Sequence, residues 1–104
     1  MKYDWRMPPS KLNERDLYLH ELKAKIEMAV MKTKEKAVLF THSMGCKMGH
    51  YFLHWIEVNF GYEWIEKHIE KFIAAGAPWL GAPKTLRSLV CFSFYSLFRP
   101  ACID

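Results

Sequence analysis

Thr41-His42-Ser43-Met44-Gly45 follows directly on the uninterrupted apolar run Ala37-Val38-Leu39-Phe40, which sets a single serine where a strand ends and a helix begins. A serine at such a junction can serve as a nucleophile. The sharp turn holds its Oγ exposed, and small neighbours let the strand and helix backbones approach each other. The backbone N–H of the next residue, here Met44, is the expected donor to the oxyanion that forms when an acyl carbonyl is attacked. Thr41 stands where the usual Gly-x-Ser-x-Gly pattern has its first glycine.

A serine hydroxyl is a weak nucleophile at neutral pH and needs a base, usually a histidine oriented by a carboxylate. In α/β-hydrolase folds these partners follow the serine in the order Asp or Glu, then His. After Ser43 the only aspartate is Asp104, the last residue, and no histidine follows it. His42 adjoins the serine on a sharp turn, which points the two side chains apart and favours a packing or hydrogen-bonding role. His50, His54 and His68 precede any suitable strand end. The second oxyanion donor should come from a loop after a third strand, which this reading places upstream of Met1.

Cys46, His50 and His54 succeed one another at intervals of four and would line one helix face. That outlines part of a zinc site, but no Glu adjoins His50 and no fourth ligand is suitably spaced, so a packed or partly exposed helix face is expected and no metal or other cofactor is assigned. Cys46, Cys91 and Cys102 form no Cys-x-x-Cys pair, and three cysteines cannot all pair within the chain.

The elements that must position the serine can be read from periodicity. Tyr3-Asp4-Trp5-Arg6, halted by Pro8-Pro9, reads as a strand end running into a turn. From Asn13, an N-cap candidate, apolar or aromatic residues at Tyr18, Leu22, Ile26, Ala29 and Val30 predict a helix of about five turns, with Lys23, Lys25 and Glu27 mostly on its wet side. Ala37 to Phe40 predicts a parallel strand buried on both faces. Met48, Tyr51, Phe52, Trp55, Ile56 and Val58 predict a second helix stopped by Gly61. Residues 62–68 fit a short helical turn, and Phe72 to Ala75 a further strand leading into a loop at 76–83 that holds Trp79. Alternating strands and helices of this kind form a parallel α/β sheet, whose ligands bind at the carboxyl ends of the strands. Ser43 and the Trp79 loop both fall there.

With 104 residues, 51% of them hydrophobic and 25% charged, and no repeat, the chain has the composition of a globular core rather than of a disordered segment. Its net charge of +4 is spread among acidic residues, apart from Lys32-Thr33-Lys34-Glu35-Lys36, which reads as a solvated connection; no nucleic-acid surface is expected. The longest mostly apolar stretch, Leu89 to Phe98, is about half the ~20 residues that cross a bilayer, and no targeting or transmembrane segment is visible. An interfacial lipid-contacting segment is one reading of Leu89, Val90, Phe92, Phe94, Tyr95, Leu97 and Phe98.

Four segments in order, Tyr-Asp-Trp-Arg at 3–6, Lys-Leu-Asn-Glu-Arg-Asp-Leu-Tyr at 11–18, His-Ser-Met-Gly at 42–45 and Ala-Gly-Ala-Pro-Trp-Leu-Gly-Ala-Pro at 75–83, resemble the lecithin:cholesterol acyltransferase family, nearest its phospholipid:sterol and phospholipid:diacylglycerol acyltransferase branches. The likeness covers about residues 3 to 85. It implies an enzyme that moves a fatty acyl group from a phospholipid to a sterol or diacylglycerol hydroxyl, with Ser43 as nucleophile and the Met44 N–H as oxyanion donor. For a full-length relative it implies a location at the endoplasmic reticulum or another membrane. Tyr3, Asp4 and Trp5 could line the acyl or headgroup site from a strand end, or form a structural Asp–Arg pair flanked by aromatics. Trp79 is a candidate wall of the substrate pocket.

The expected architecture is α/β, a fragment of an α/β-hydrolase fold, with residues 1–86 as partial acyltransferase core and 87–104 as a divergent apolar tail. By this reading the chain holds the nucleophile without its base, acid or second oxyanion donor, and is inactive alone. A phospholipase or esterase of the same fold and a non-catalytic remnant are the competing functions.

Overall fold

The computed structural model describes residues 2–97, the side chains of 89 and 92–97 excepted. The elements are α1 (Pro9–Asp16), α2 (Tyr18–Thr33), β1 (Ala37–His42), α3 (Met44–Phe60), α4 (Tyr62–His68), β2 (Ile69–Ala75) and α5 (Pro83–Leu97). β1 and β2 form a two-stranded parallel sheet, in register from Leu39 opposite Phe72 to His42 opposite Ala75. A parallel pair needs a long crossover, and α3 with α4 supplies it.

The amino-terminal part departs from expectation twice. Tyr3–Arg6 forms no strand; residues 5 and 6 make a turn, and Pro9 starts α1 at its first helical position, where a missing N–H costs nothing. A strand requires a partner, and among the described residues none lies beside this segment. The single helix expected from Asn13 is two helices, broken at Leu17 in a left-handed conformation (φ 52°). Asn13 still caps a helix, but from inside α1: its Oδ1 accepts the Leu19 N–H at 3.1 Å in the first turn of α2.

Leu12, Tyr18, Leu19, Ile26, Met48, Phe52, Ile56, Trp64 and Ile69 make one core that joins α1 and α2 to α3, α4 and the start of β2. Phe52 meets Trp64 edge to face at 6.2 Å. The charged residues expected on the wet side of α2 are divided: Lys25 is exposed, whereas Lys23 is largely covered, bonds Glu27 at 2.7 Å and lies over the Phe60 ring at 4.5 Å. Glu27 also accepts the Trp64 indole N–H at 2.8 Å, so this ion pair ties α2 to α4. Those bonds, first from Lys23 and then from Trp64, hold the Glu27 carboxyl below its ordinary pKa.

Gly61 ends α3 as expected and begins α4 in the same residue, at φ 85°, a conformation that a side chain would strain. Val58 does not belong to the buried stripe of α3; it is exposed. The sheet also differs from the expected strand buried on both faces. Along β1 half-buried and exposed residues alternate, leaving Val38 53% and Phe40 66% exposed. α3 packs on one face only, and among the described residues nothing covers the other.

The Cα radius of gyration is 18.5 Å, against about 13 Å for a compact chain of this length. α5 accounts for residues across the expected 86/87 division, and its described side chains are all exposed. The apolar side chains expected at Leu89, Phe92, Phe94, Tyr95, Leu97 and Phe98, and the terminal residues 99–104, lie outside those described.

Candidate active site at the strand-to-helix junction

Ser43 links β1 to α3 with φ 52° and ψ −125°, outside the regions open to most L-residues. Strain of this sort costs on the order of 1–3 kcal/mol and persists only where surrounding structure enforces it. The enforcing bonds are visible. The Ser43 N–H donates to the Ala75 carbonyl at 2.9 Å, extending the strand pairing by one residue, and the Ser43 carbonyl accepts from the Cys46 N–H at 3.0 Å. The side chain is exposed and does not cap α3. A helix N-terminus without a side-chain cap leaves its first N–H groups free, and Met44 occupies the first helical position. A negative oxygen held near Ser43 would meet that N–H and the positive end of the helix.

The glycine that permits close packing is not the one in the motif. A Cβ on Gly45 would meet nothing within 4 Å, whereas one on Gly49 would lie 2.9 Å from both Phe72 Cε2 and Thr41 Cγ2. Gly49 thus sets how near α3 comes to the sheet. Its signal in the sequence is a small residue one turn beyond Gly45 on a helix whose neighbouring face is bulky. The Ala75 carbonyl, partner to the serine N–H and to the Cys46 thiol at 3.6 Å, carries no side-chain signal at all.

Of the other candidates, Tyr3 and Trp5 come together with Met44, joined by Met7, Lys47 and Met48 around an apolar cavity of about 190 Å³. Tyr3 is half-buried and packs edge to face on Tyr18 at 5.5 Å; Trp5 is 68% exposed. Asp4 is engaged with arginines: Arg6 Nε lies 2.9 Å and Arg15 Nη1 4.0 Å from its carboxylate. The Arg6 hydrogen bonds hold the Asp4 carboxyl below its ordinary pKa. This is the Asp–Arg pair that the sequence offered as the structural alternative. Trp79 is half-exposed, outside that cavity, with its ring 5.7 Å from His50.

Cys46 is buried with its thiol on a backbone carbonyl, while His50 and His54 are exposed. Among the described residues no group of three or more His, Cys, Asp or Glu could hold a metal ion. No helix among them is long and apolar enough to cross a membrane.

A parallel strand, a strained serine and a helix N-terminus thus follow one another in a mixed helix-and-strand fold compatible with part of an α/β architecture. The comparisons with known proteins name the family. The lecithin:cholesterol acyltransferase family model matches residues 1–93, and the chain belongs to that family. It is 40% identical over 90 residues to a phospholipid–sterol O-acyltransferase of Arabidopsis thaliana, covering 83% of this chain and 14% of the relative. It is 42% identical over 92 residues to a phospholipid:diacylglycerol acyltransferase of Schizosaccharomyces pombe, covering 85% and 15%. A lysosomal phospholipase A and acyltransferase of Bos taurus is 40% identical over 87 residues, covering 84% and 20%. The chain therefore spans about a seventh to a fifth of the length of these relatives. No solved structure matches it.

Proposed function

We propose that this chain is the nucleophile-bearing part of a serine-dependent lipid O-acyltransferase with an α/β-hydrolase fold. The observation that carries the reading is the strained Ser43 backbone, locked between β1 and α3 by the Ala75 carbonyl with its hydroxyl uncapped. Family membership supplies the substrate class: phospholipid as acyl donor, and a sterol or diacylglycerol as acceptor, as in the names of the Arabidopsis and fission-yeast relatives.

The chemistry would run in two halves. Ser43 Oγ attacks the phospholipid ester carbonyl and passes its proton to a histidine base; the tetrahedral oxyanion takes a hydrogen bond from the Met44 N–H. The lysophospholipid alcohol leaves with that proton, giving an acyl-serine, and the acceptor hydroxyl then reverses the sequence. The base, its carboxylate and the second oxyanion donor would come from the parts of the enzyme that the relatives possess beyond this segment.

The hydrolase topology has support in the free side of β1. A cavity of about 230 Å³ runs between Tyr3, Tyr18 and Leu22 on one side and Leu39, Phe40, Thr41 and His42 on the other. A further strand placed there would pair with the open edge of β1 and bring a loop to the oxyanion position. The bovine relative's name, phospholipase A and acyltransferase, favours a second reading in which water also accepts the acyl group. Tyr3, Trp5 and Trp79 are proposed to border the lipid site, and Asp4 to hold that border through Arg6.

The test is a chimera in which residues 3–85 replace the matching segment of the fission-yeast relative. A fluorophosphonate probe should label the chimera and fail to label its Ser43→Ala variant; undiminished labelling of the variant refutes the assignment. The 104-residue chain alone should show no turnover of labelled phospholipid.

A further inference from the structure

Leu80 is fully exposed at the tip of a tight turn in which the Trp79 N–H bonds Ala77 and the Gly81 N–H bonds Pro78. The turn leaves the carboxyl end of β2, the end whose Ala75 carbonyl holds Ser43. Two residues later α5 begins, with Pro83, Leu86 and Val90 on one helical stripe and Lys84 and Arg87 on the adjoining one. Leu86 and Val90 are more than half exposed. From Gly76 to Leu97 there is no acidic residue, and among the described residues neither cation is in an ion pair. Two other strongly exposed apolar residues lie beside acids instead: Met28 follows Glu27 and Val58 follows Glu57.

A protruding leucine beside a tryptophan, continued by a basic amphipathic stripe, is the arrangement that seats in the headgroup layer of a bilayer. We propose that Trp79, Leu80, Leu86 and Val90 form an interfacial patch that binds an anionic phospholipid surface, with Lys84 and Arg87 against the headgroup phosphates. The patch would hold the open side of the serine turn toward the leaflet from which a lipid substrate must come. Its use in catalysis rests on the acyltransferase reading; the binding itself does not.

Flotation of the full chain with vesicles of phosphatidylcholine alone, or with about 30% phosphatidylserine, tests it. Binding should appear with the anionic vesicles and fall about fivefold for each of Lys84→Ala and Arg87→Ala. Leu80→Asp and Leu86→Asp should each lower it about tenfold or more, while Val58→Asp and Met28→Asp leave it unchanged. In vesicles carrying brominated acyl chains, tryptophan quenching should disappear in Trp79→Phe and persist in Trp5→Phe, which locates the contact whatever the substitutions do to folding. Equal binding to neutral vesicles, equal losses at Val58 or Met28, capture by protein partners without any vesicle binding, or quenching that survives Trp79→Phe would overturn the proposal. Fluorophosphonate labelling of Ser43 needs no membrane, so failure in the vesicles and failure of the serine assignment are separate results.

Discussion

The two faces of the β1–β2 sheet are built from similar residues and meet different fates. On one, Leu39 and Phe72 lie under α3 and Gly49 lets the helix come close; on the other, Val38, Phe40 and Ile73 are apolar and exposed. Strand composition records the burial a strand is suited to, whereas actual burial depends on which neighbours are present. In this chain the helices supply one cover, and among the described residues the other face is left bare.

That contrast can be broken or sharpened by substitution. The largest effect is expected at Phe52, fully buried on the covered side: Phe52→Ala should cost about 3–5 kcal/mol, which a small domain can hardly tolerate, and loss of the cooperative thermal transition would show it. Gly49→Ala should cost about 1–3 kcal/mol by pushing α3 off Phe72 and Thr41, while Gly45→Ala, with open space around it, should be neutral or slightly stabilising; denaturant midpoints of the two variants settle the order. Equal midpoints would mean that the motif glycine, after all, shares the packing role.

The Lys23–Glu27–Trp64 tie gives a smaller, pH-dependent effect. Because folding lowers the Glu27 pKa, its contribution is complete above the ordinary glutamate range and disappears as pH falls through the lowered value. With the pair partly open to solvent, the loss should be at most about 1 kcal/mol. Glu27→Gln should flatten that part of the acid limb in a stability–pH profile. The smallest change is expected on the bare face: Phe40→Ser should shift stability of the isolated chain by less than about 0.5 kcal/mol yet raise its solubility. A large loss there would show that the face is covered in solution, by a second copy or otherwise.

The elements surrounding Ser43 were legible because their signals are local. The apolar run of β1, the helical spacing from Met48 to Ile56, the Gly61 stop and β2 each lie within one stretch of sequence, and each appears in place. Long-range or backbone-borne features were not legible. Leu17 adopts a left-handed turn with no glycine to announce it, and Asn13 directs it from six residues before the N–H it caps. Tyr3–Arg6 has the residues of a strand but, among the described residues, no strand to pair with. The placement of Ser43 and Met44 at the junction of β1 and α3 was readable from their order in the sequence, but the contributions of Gly49 and Ala75 depend on β2 arriving beside β1, which no motif records.

The bond from the Ser43 N–H to the Ala75 carbonyl also has a kinetic side. Its two ends are separated by all of α3, α4 and β2, so the crossover must close and the strands must align before the serine can be held in its strained geometry. Until then the turn is free to relax to an ordinary conformation, with no penalty to bear. The serine turn would therefore mature last, and its appearance in a refolding experiment would time the completion of the parallel pair rather than the formation of either neighbouring element.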